Sequence, residues 1–177
     1  MTEAAGTPGW RDAPARRRNV TMTVNGKPAT APAEDRTLLS DYLRHGLLLT
    51  GTHVGCEQGV CGACTVLVDD IPVPSCLMLA VQAEGSSVRT VESLTGDDGD
   101  LSGMQRALLE SHGLQCGFCT PGLLMSLAHA EEQELTGHEI AEDVLPGHLC
   151  RCTGYAGIRA AVERYWAAGG KGKGRHE

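Results

Sequence analysis

The run His53-Val-Gly-Cys56-Glu-Gln-Gly-Val-Cys61-Gly-Ala-Cys64-Thr-Val-Leu-Val-Asp69 decides how this chain is read. Three cysteines stand at C-x4-C-x2-C spacing among Gly55, Gly59 and Gly62, and an apolar run follows at once. Cys76 supplies a fourth thiol after a short turn containing Asp69-Asp70 and Pro72-Val73-Pro74. Further on, Cys116 and Cys119 lie in Gln-Cys-Gly-Phe-Cys-Thr-Pro-Gly, and Cys150 and Cys152 in Leu-Cys-Arg-Cys-Thr-Gly-Tyr. The chain has 8 cysteines in all, so they divide into two sets of four with none left over.

The first spacing is the plant-type ferredoxin pattern, which holds a 2Fe–2S cluster. Such a cluster is anionic and needs four thiolates together with backbone N–H groups aimed at its sulfurs. Gly55, Gly59 and Gly62 suit a loop that wraps closely, since glycine tolerates positive φ and close backbone approach. Structural zinc is the alternative, but zinc favours paired Cys-x2–4-Cys knuckles over an x4 gap ringed by glycines.

The second set is less standard. Cys116-Gly-Phe-Cys119 alone resembles a thioredoxin-like redox pair, but that leaves Cys150 and Cys152 without a role and puts the pair outside a strand–helix context. A four-thiolate metal site is the better reading, with iron–sulfur and zinc both open. Cys116 and Cys119 precede a helix N-terminus, whose free N–H groups favour thiolates. Each set already has four thiols, so a Rieske centre with histidine ligands is not required. His148 reads as a loop or surface residue and His53 as a packing or hydrogen-bonding one. There is no Ser-His-Asp order, phosphate loop or HExxH motif, and no cysteine remains as a nucleophile.

The net charge is −7 and the basic residues sit mainly in the two ends, which argues against nucleic-acid binding. At 177 residues with 3% aromatics, the chain suits two small units with sparse cores, stapled by metal. Arg16-Arg17-Arg18 raises twin-arginine export, but the sequence after it alternates like a strand. No stretch is apolar enough to span a membrane. Eight thiols available to metal fit a cytoplasmic setting.

Val20, Met22 and Val24 alternate, and Asn25-Gly26 signals a hairpin to a second strand near 28–32. Leu38, Leu39, Tyr42 and Leu43 have helical spacing, with Gly46 a candidate stop. Strands at 65–68 and 87–91 and a short helix near 77–82 complete a β-grasp unit over 19–93. Residues 94–102 read as a linker and 103–168 as four short helices. The second of these opens on Thr120-Pro121, the third has a capping box at Thr136-x-x-Glu139 and ends before Pro146-Gly147, and the fourth covers 156–166. Gly113 is expected to end the first. The tails, 1–18 and 169–177, are expected to be disordered. The fold class is therefore α+β.

Together the runs at 53–69, 115–122 and 149–155 resemble the iron–sulfur small subunit of the molybdenum hydroxylase family, which includes xanthine dehydrogenase, carbon monoxide dehydrogenase, aldehyde oxidoreductase and bacterial N-heterocycle dehydrogenases. The resemblance covers about residues 19–168. It implies a ferredoxin domain holding one 2Fe–2S cluster through Cys56, Cys61, Cys64 and Cys76. A helical domain would hold the other through Cys116, Cys119, Cys150 and Cys152. It further implies a large subunit with a molybdopterin cofactor, contacted by Gln115 and Cys150, and a medium subunit with FAD, in a heterotrimer or a dimer of heterotrimers. Substrate chemistry would lie on the large subunit. Pro146-Gly147-His148 departs from the Ser-Gly-Asn that relatives tend to have. The alternative is a free-standing two-cluster ferredoxin, which would need no pterin-facing Gln115.

Overall fold

The computed structural model describes residues 16–96 and 99–170. Strands β1 (Arg17–Val24) and β2 (Lys27–Glu34) form an antiparallel hairpin across Asn25-Gly26, both at positive φ as a tight two-residue turn requires. The first helix, α1 (Leu39–Asp41), continues as a π-helical turn, Tyr42–Gly46. Strands β3 (Thr65–Val68), β4 (Ile71–Pro74) and β5 (Ser87–Arg89) complete a five-stranded sheet of order β2-β1-β5-β3-β4. The β1–β5 pair is parallel and the others are antiparallel. Prolines 28 and 32 in β2, and 72 and 74 in β4, remove donors from both outer strands, which hinders edge-to-edge pairing.

Val20, Met22, Val24, Val66, Val68 and Val88 of the sheet bury against Leu39, Tyr42 and Leu43. The Tyr42 hydroxyl donates to Val20 O (2.7 Å) and accepts from Ala31 N (2.9 Å), linking two residues that face each other across the β1–β2 ladder. All four positions of β3 are buried. Since Val66 and Val68 face this first core, Thr65 and Leu67 face the opposite side, where the helical half packs.

That half comprises α2 (Gly103–Glu110), α3 (Thr120–Glu132), α4 (Gly137–Glu139) and α5 (Ala156–Ala167). The α4 turn runs on through a π-helical turn, Ile140–Val144, and a 3₁₀ turn, Leu145–Gly147. Capping boxes open α2 at Ser102/Gln105 and α4 at Thr136/Glu139. Met104, Leu108, Leu123, Leu127, Ile140, Ile158 and Val162 form a second core.

Several expectations shift. β1 begins at Arg17, so Arg17 and Arg18 lie in a strand and pair with Glu34, Asp35 and Glu84. Residues 1–15 and 171–177 fall outside the described residues. The segment after Leu43 winds through Gly46 and does not stop before it. The helix expected near 77–82 is two 3₁₀ turns, Ser75–Leu77 and Ala80–Ala83. Within 94–102, Leu94 ends a 3₁₀ turn and Ser102 caps α2. Cys119, not Thr120, is the N-cap of α3. The third helical segment runs through Pro146-Gly147 because proline fits the first turn of a new 3₁₀ segment. His112, not Gly113, takes the left-handed turn after α2. Gly113 is required by space, since a β-carbon there would lie 2.7 Å from Leu108 Cδ2.

Candidate iron–sulfur site

All eight cysteines are free thiols. In the first loop, Val60 N and Cys61 N each lie 3.4 Å from Cys56 Sγ and donate to it. Backbone N–H groups of Gln58, Cys61 and Val60 lower the Cys56 thiol to about 6. The loop achieves this curl with Glu57 at φ 55, Gly59 at φ 72 and Gly62 at φ 73. Glu57 is the unexpected member, since a side chain in this region is strained. Gly55 needs no positive φ. It is small for packing reasons, because a β-carbon there would stand 3.3 Å from both Cys61 Sγ and Phe118 Cε1.

Cys76 reaches this loop through its neighbour. Ser75 donates to Cys64 O from its hydroxyl (2.7 Å) and its amide (3.3 Å), which sets Cys76 beside Cys64. Cys64 and Cys76 are both buried, and burial pushes the Cys76 thiol up to about 11.

In the second set, Cys116 and Cys119 flank a turn with Gly117 at φ 78 at the mouth of α3. The amide of Phe118 lowers the Cys116 thiol, whereas burial raises Cys119 to about 11. Cys116 Sγ and Cys152 Sγ are 3.4 Å apart. The Tyr155 hydroxyl accepts from Cys150 N (2.8 Å) and donates to His148 O (3.1 Å), bracing the Leu149–Cys152 loop.

Within each set the thiols act on one another: Cys76 feels Cys64 and Cys56, Cys119 feels Cys150 and Cys116, and Cys116 Sγ lies 3.4 Å from Cys152 Sγ. Four thiols gathered in each set, with backbone N–H groups turned onto Cys56 Sγ in the first, are a donor set that fits an anionic 2Fe–2S group.

The two loops interlock. Leu149 N donates to Cys61 O at 3.0 Å. His53 Nδ1 bonds Phe118 O at 2.9 Å and its ring stacks on Phe118, centroids 4.9 Å apart. Arg89 of β5 reaches Glu132 of α3 through both carboxylate oxygens, at 2.7 and 3.0 Å. His148, expected at the surface, is 6% exposed, with Nε2 on Ser126 Oγ at 2.8 Å. Burial lowers its imidazole to about 4, so it is neutral. Gln115, by contrast, is exposed beside the exposed Cys116. Sequence reasoning missed Ser126, Tyr155 and the burial of His148. Tyr155 alone carried a signal, because it closes the LCRCTGY run.

Residues 22–90 match the family described as 2Fe-2S iron-sulfur cluster binding domain, and residues 90–163 match the 2Fe-2S binding domain family. The chain is 56% identical over 149 residues to caffeine dehydrogenase subunit gamma of Pseudomonas sp. (strain CBB1), covering 81% of this chain and 88% of that one. This chain belongs to the iron–sulfur small subunits of the molybdenum hydroxylase family. It is also 49% identical to the nicotine 6-hydroxylase small subunit of Paenarthrobacter nicotinovorans, covering 84% of this chain and 90% of that one. Its fold matches quinoline 2-oxidoreductase from Pseudomonas putida 86 with TM-score 0.79 and 45% identity, covering 84% of this chain and 91% of that chain. It also matches aldehyde oxidoreductase from Desulfovibrio gigas, with TM-score 0.77 and 34% identity over 87% of this chain but only 18% of that much longer one. As an iron–sulfur subunit of this family, the chain is part of an oxidoreductase. Among the described residues no helix is long and apolar enough to cross a membrane.

Proposed function

We propose that this chain is the electron-transfer subunit of a molybdenum hydroxylase, linking a molybdopterin centre on a large subunit, through two 2Fe–2S clusters, to FAD on a medium subunit. The observation that carries the reading is the interlock itself: two four-thiol loops share one clasp, with Cys61 O bonded to Leu149 N at 3.0 Å. When bound, the clusters supply one-electron oxidation and reduction.

The chain's own residues do the rest. Cys56, Cys61, Cys64 and Cys76 hold the first cluster, and the amides of Val60 and Cys61 offset its negative charge. Cys116, Cys119, Cys150 and Cys152 hold the second. Exposed Cys116 and Cys152 leave that site at an open face, which a large subunit would cover. Gln115 on the same face, with Cys150, is assigned to contact the molybdopterin. In this reading residues 19–93 form a β-grasp ferredoxin domain, extended to Arg17 by β1. Residues 103–168 form a four-helix cluster domain joined to it by 94–102. The assembly is a cytoplasmic heterotrimer or a dimer of heterotrimers.

The names of the relatives support a substrate class. Caffeine, nicotine and quinoline, named for relatives at 56%, 49% and 45% identity, are all nitrogen heterocycles, and we assign that class to the complex. The test is anaerobic purification with its co-purifying partners. About four irons and four sulfides per chain are expected, with two distinct paramagnetic centres on reduction and molybdenum and FAD on associated chains. Zinc in place of iron, or a chain that carries both clusters yet never associates with a molybdenum protein, overturns it.

A further inference from the structure

His148 sits where the two loops meet. Its neighbours Gly147 and Leu149 are exposed, yet His148 itself is 6% exposed. Its Nε2 is tied to Ser126 Oγ of α3 at 2.8 Å. The other edge of the ring lies over Gly62, between Cys61 and Cys64: a β-carbon on Gly62 would stand 2.5 Å from His148 Nδ1 and 2.4 Å from Gly147 O. Among the described residues Nδ1 has no partner at full hydrogen-bond geometry; burial disfavours the protonated ring, and the nearby Gly62 backbone favours it more weakly. The ring therefore meets the Gly62 backbone on one edge and is anchored to Ser126 of α3 on the other. Immediately beside this contact, Leu149 N donates to Cys61 O at 3.0 Å. That hydrogen bond joins a cysteine of the first set to the residue preceding Cys150 of the second.

We infer that His148 is a positioning residue for electron passage between the two clusters: wedged between Gly62 and Ser126, its ring holds the Cys61–Leu149 hydrogen bond at its observed length. The inference rests on the iron–sulfur reading above. Electronic coupling falls steeply when a hydrogen bond lengthens into a through-space gap, so the residue that holds this bond short governs the coupling without touching either cluster. Tyr155 cannot substitute, because its hydroxyl bonds His148 O and Cys150 N, both on the second loop. The Ser126 hydroxyl acts on the bond through the ring it anchors at 2.8 Å. A smaller or shorter side chain at 148 would leave a void between Gly62 and α3, into which the first loop could relax.

The experiment uses the full chain with both clusters reconstituted, in four forms: wild type, His148→Ala, His148→Gln and Ser126→Ala. The first readout is the low-temperature spin–spin splitting between the two reduced clusters. The second is hydrogen exchange of the peptide containing Leu149 in the oxidised protein. In His148→Ala the through-bond exchange part of the splitting shrinks, the through-space dipolar part remaining, at unchanged iron content, and the Leu149 amide exchanges about tenfold faster. Ser126→Ala gives the same changes at smaller size. His148→Gln, whose amide can reach Ser126, restores most of the splitting. A residue that merely filled space would lower the melting temperature and leave the splitting per intact cluster pair unchanged, and that result overturns the inference. If His148→Ala fails to retain iron, Ser126→Ala decides, and an unchanged splitting and exchange rate there overturns it. A wild type with two clusters but no splitting also overturns it. A wild type that binds no iron fails at the earlier step, removing the iron–sulfur reading on which this one stands.

Discussion

Gly122 lies directly over the carbonyl oxygen of Gly62, so close that a β-carbon on Gly122 would stand 2.0 Å from it. The contact joins the first full turn of α3 to the loop of the first thiol set. It brings the two halves closer than any side chain allows, and it explains why a thirteen-residue helix can bury Leu123, Leu124 and Met125 while its backbone rests on a cluster loop.

Replacing Gly122 with alanine forces α3 away from Gly62. The overpacking costs about 1–3 kcal/mol, a drop of roughly 3–10 °C in melting temperature for a chain of this size. Iron should be lost from both sites on heating, because the same displacement opens the clasp. Thermal unfolding followed at the cluster absorbance and by circular dichroism measures both effects. A variant as stable as wild type would show that the contact relaxes freely.

Tyr42→Phe removes the hydroxyl that relays Ala31 N to Val20 O. Both groups are buried, so the loss is expected to be about 1–3 kcal/mol. The hydroxyl's two partners lie on β1 and β2, which carry no thiol, so cluster spectra should be unchanged. Denaturant unfolding of the two proteins gives the difference, and a change below a few tenths of a kcal/mol would contradict the assigned role.

Single thiol substitutions test the assignment of the ligands. Cys61→Ser and Cys119→Ser should each lower iron from about four to about two per chain, each removing a different paramagnetic signal. The interlocked loops make the units less independent than a linker at 94–102 suggests. The surviving cluster should therefore be more heat-labile in each variant, since metal binding is coupled to folding. Metal analysis with spectroscopy before and after mild heating decides it. Loss of the same signal from both variants would refute the division into two sets.

Gln115→Ala should retain four irons and wild-type stability, because Gln115 is exposed and ligates nothing. In the assembled complex it should slow the reduction of the second cluster by substrate. Stopped-flow reduction, under conditions where that step limits the signal, reads the effect. An unchanged rate would leave Gln115 as an ordinary surface residue.

Much of the site could be read directly from the chain, because thiol spacing and glycine placement are local. The C-x4-C-x2-C run, the Gly59 and Gly62 turns and the Thr136 capping box each depend on residues within a few positions of one another. The hairpin at Asn25-Gly26 was legible for the same reason. The π-helical stretches at Tyr42–Gly46 and Ile140–Val144 were not, since their hydrogen-bond pattern is set by what they pack against.

Eight cysteines in two local groups of four could be picked out from the chain alone, because thiolates at these spacings are enough for two clusters without any histidine. How the sets stand to each other came from packing between distant segments. His148 is buried against Gly62, Gly55 is small against Phe118 and Gly122 is small against Gly62, each across the interface between the halves, while Ser126 anchors His148 from within the helical half. Each contact joins residues 22 or more positions apart, and nothing in the local sequence constrains such a pair until the chain has folded.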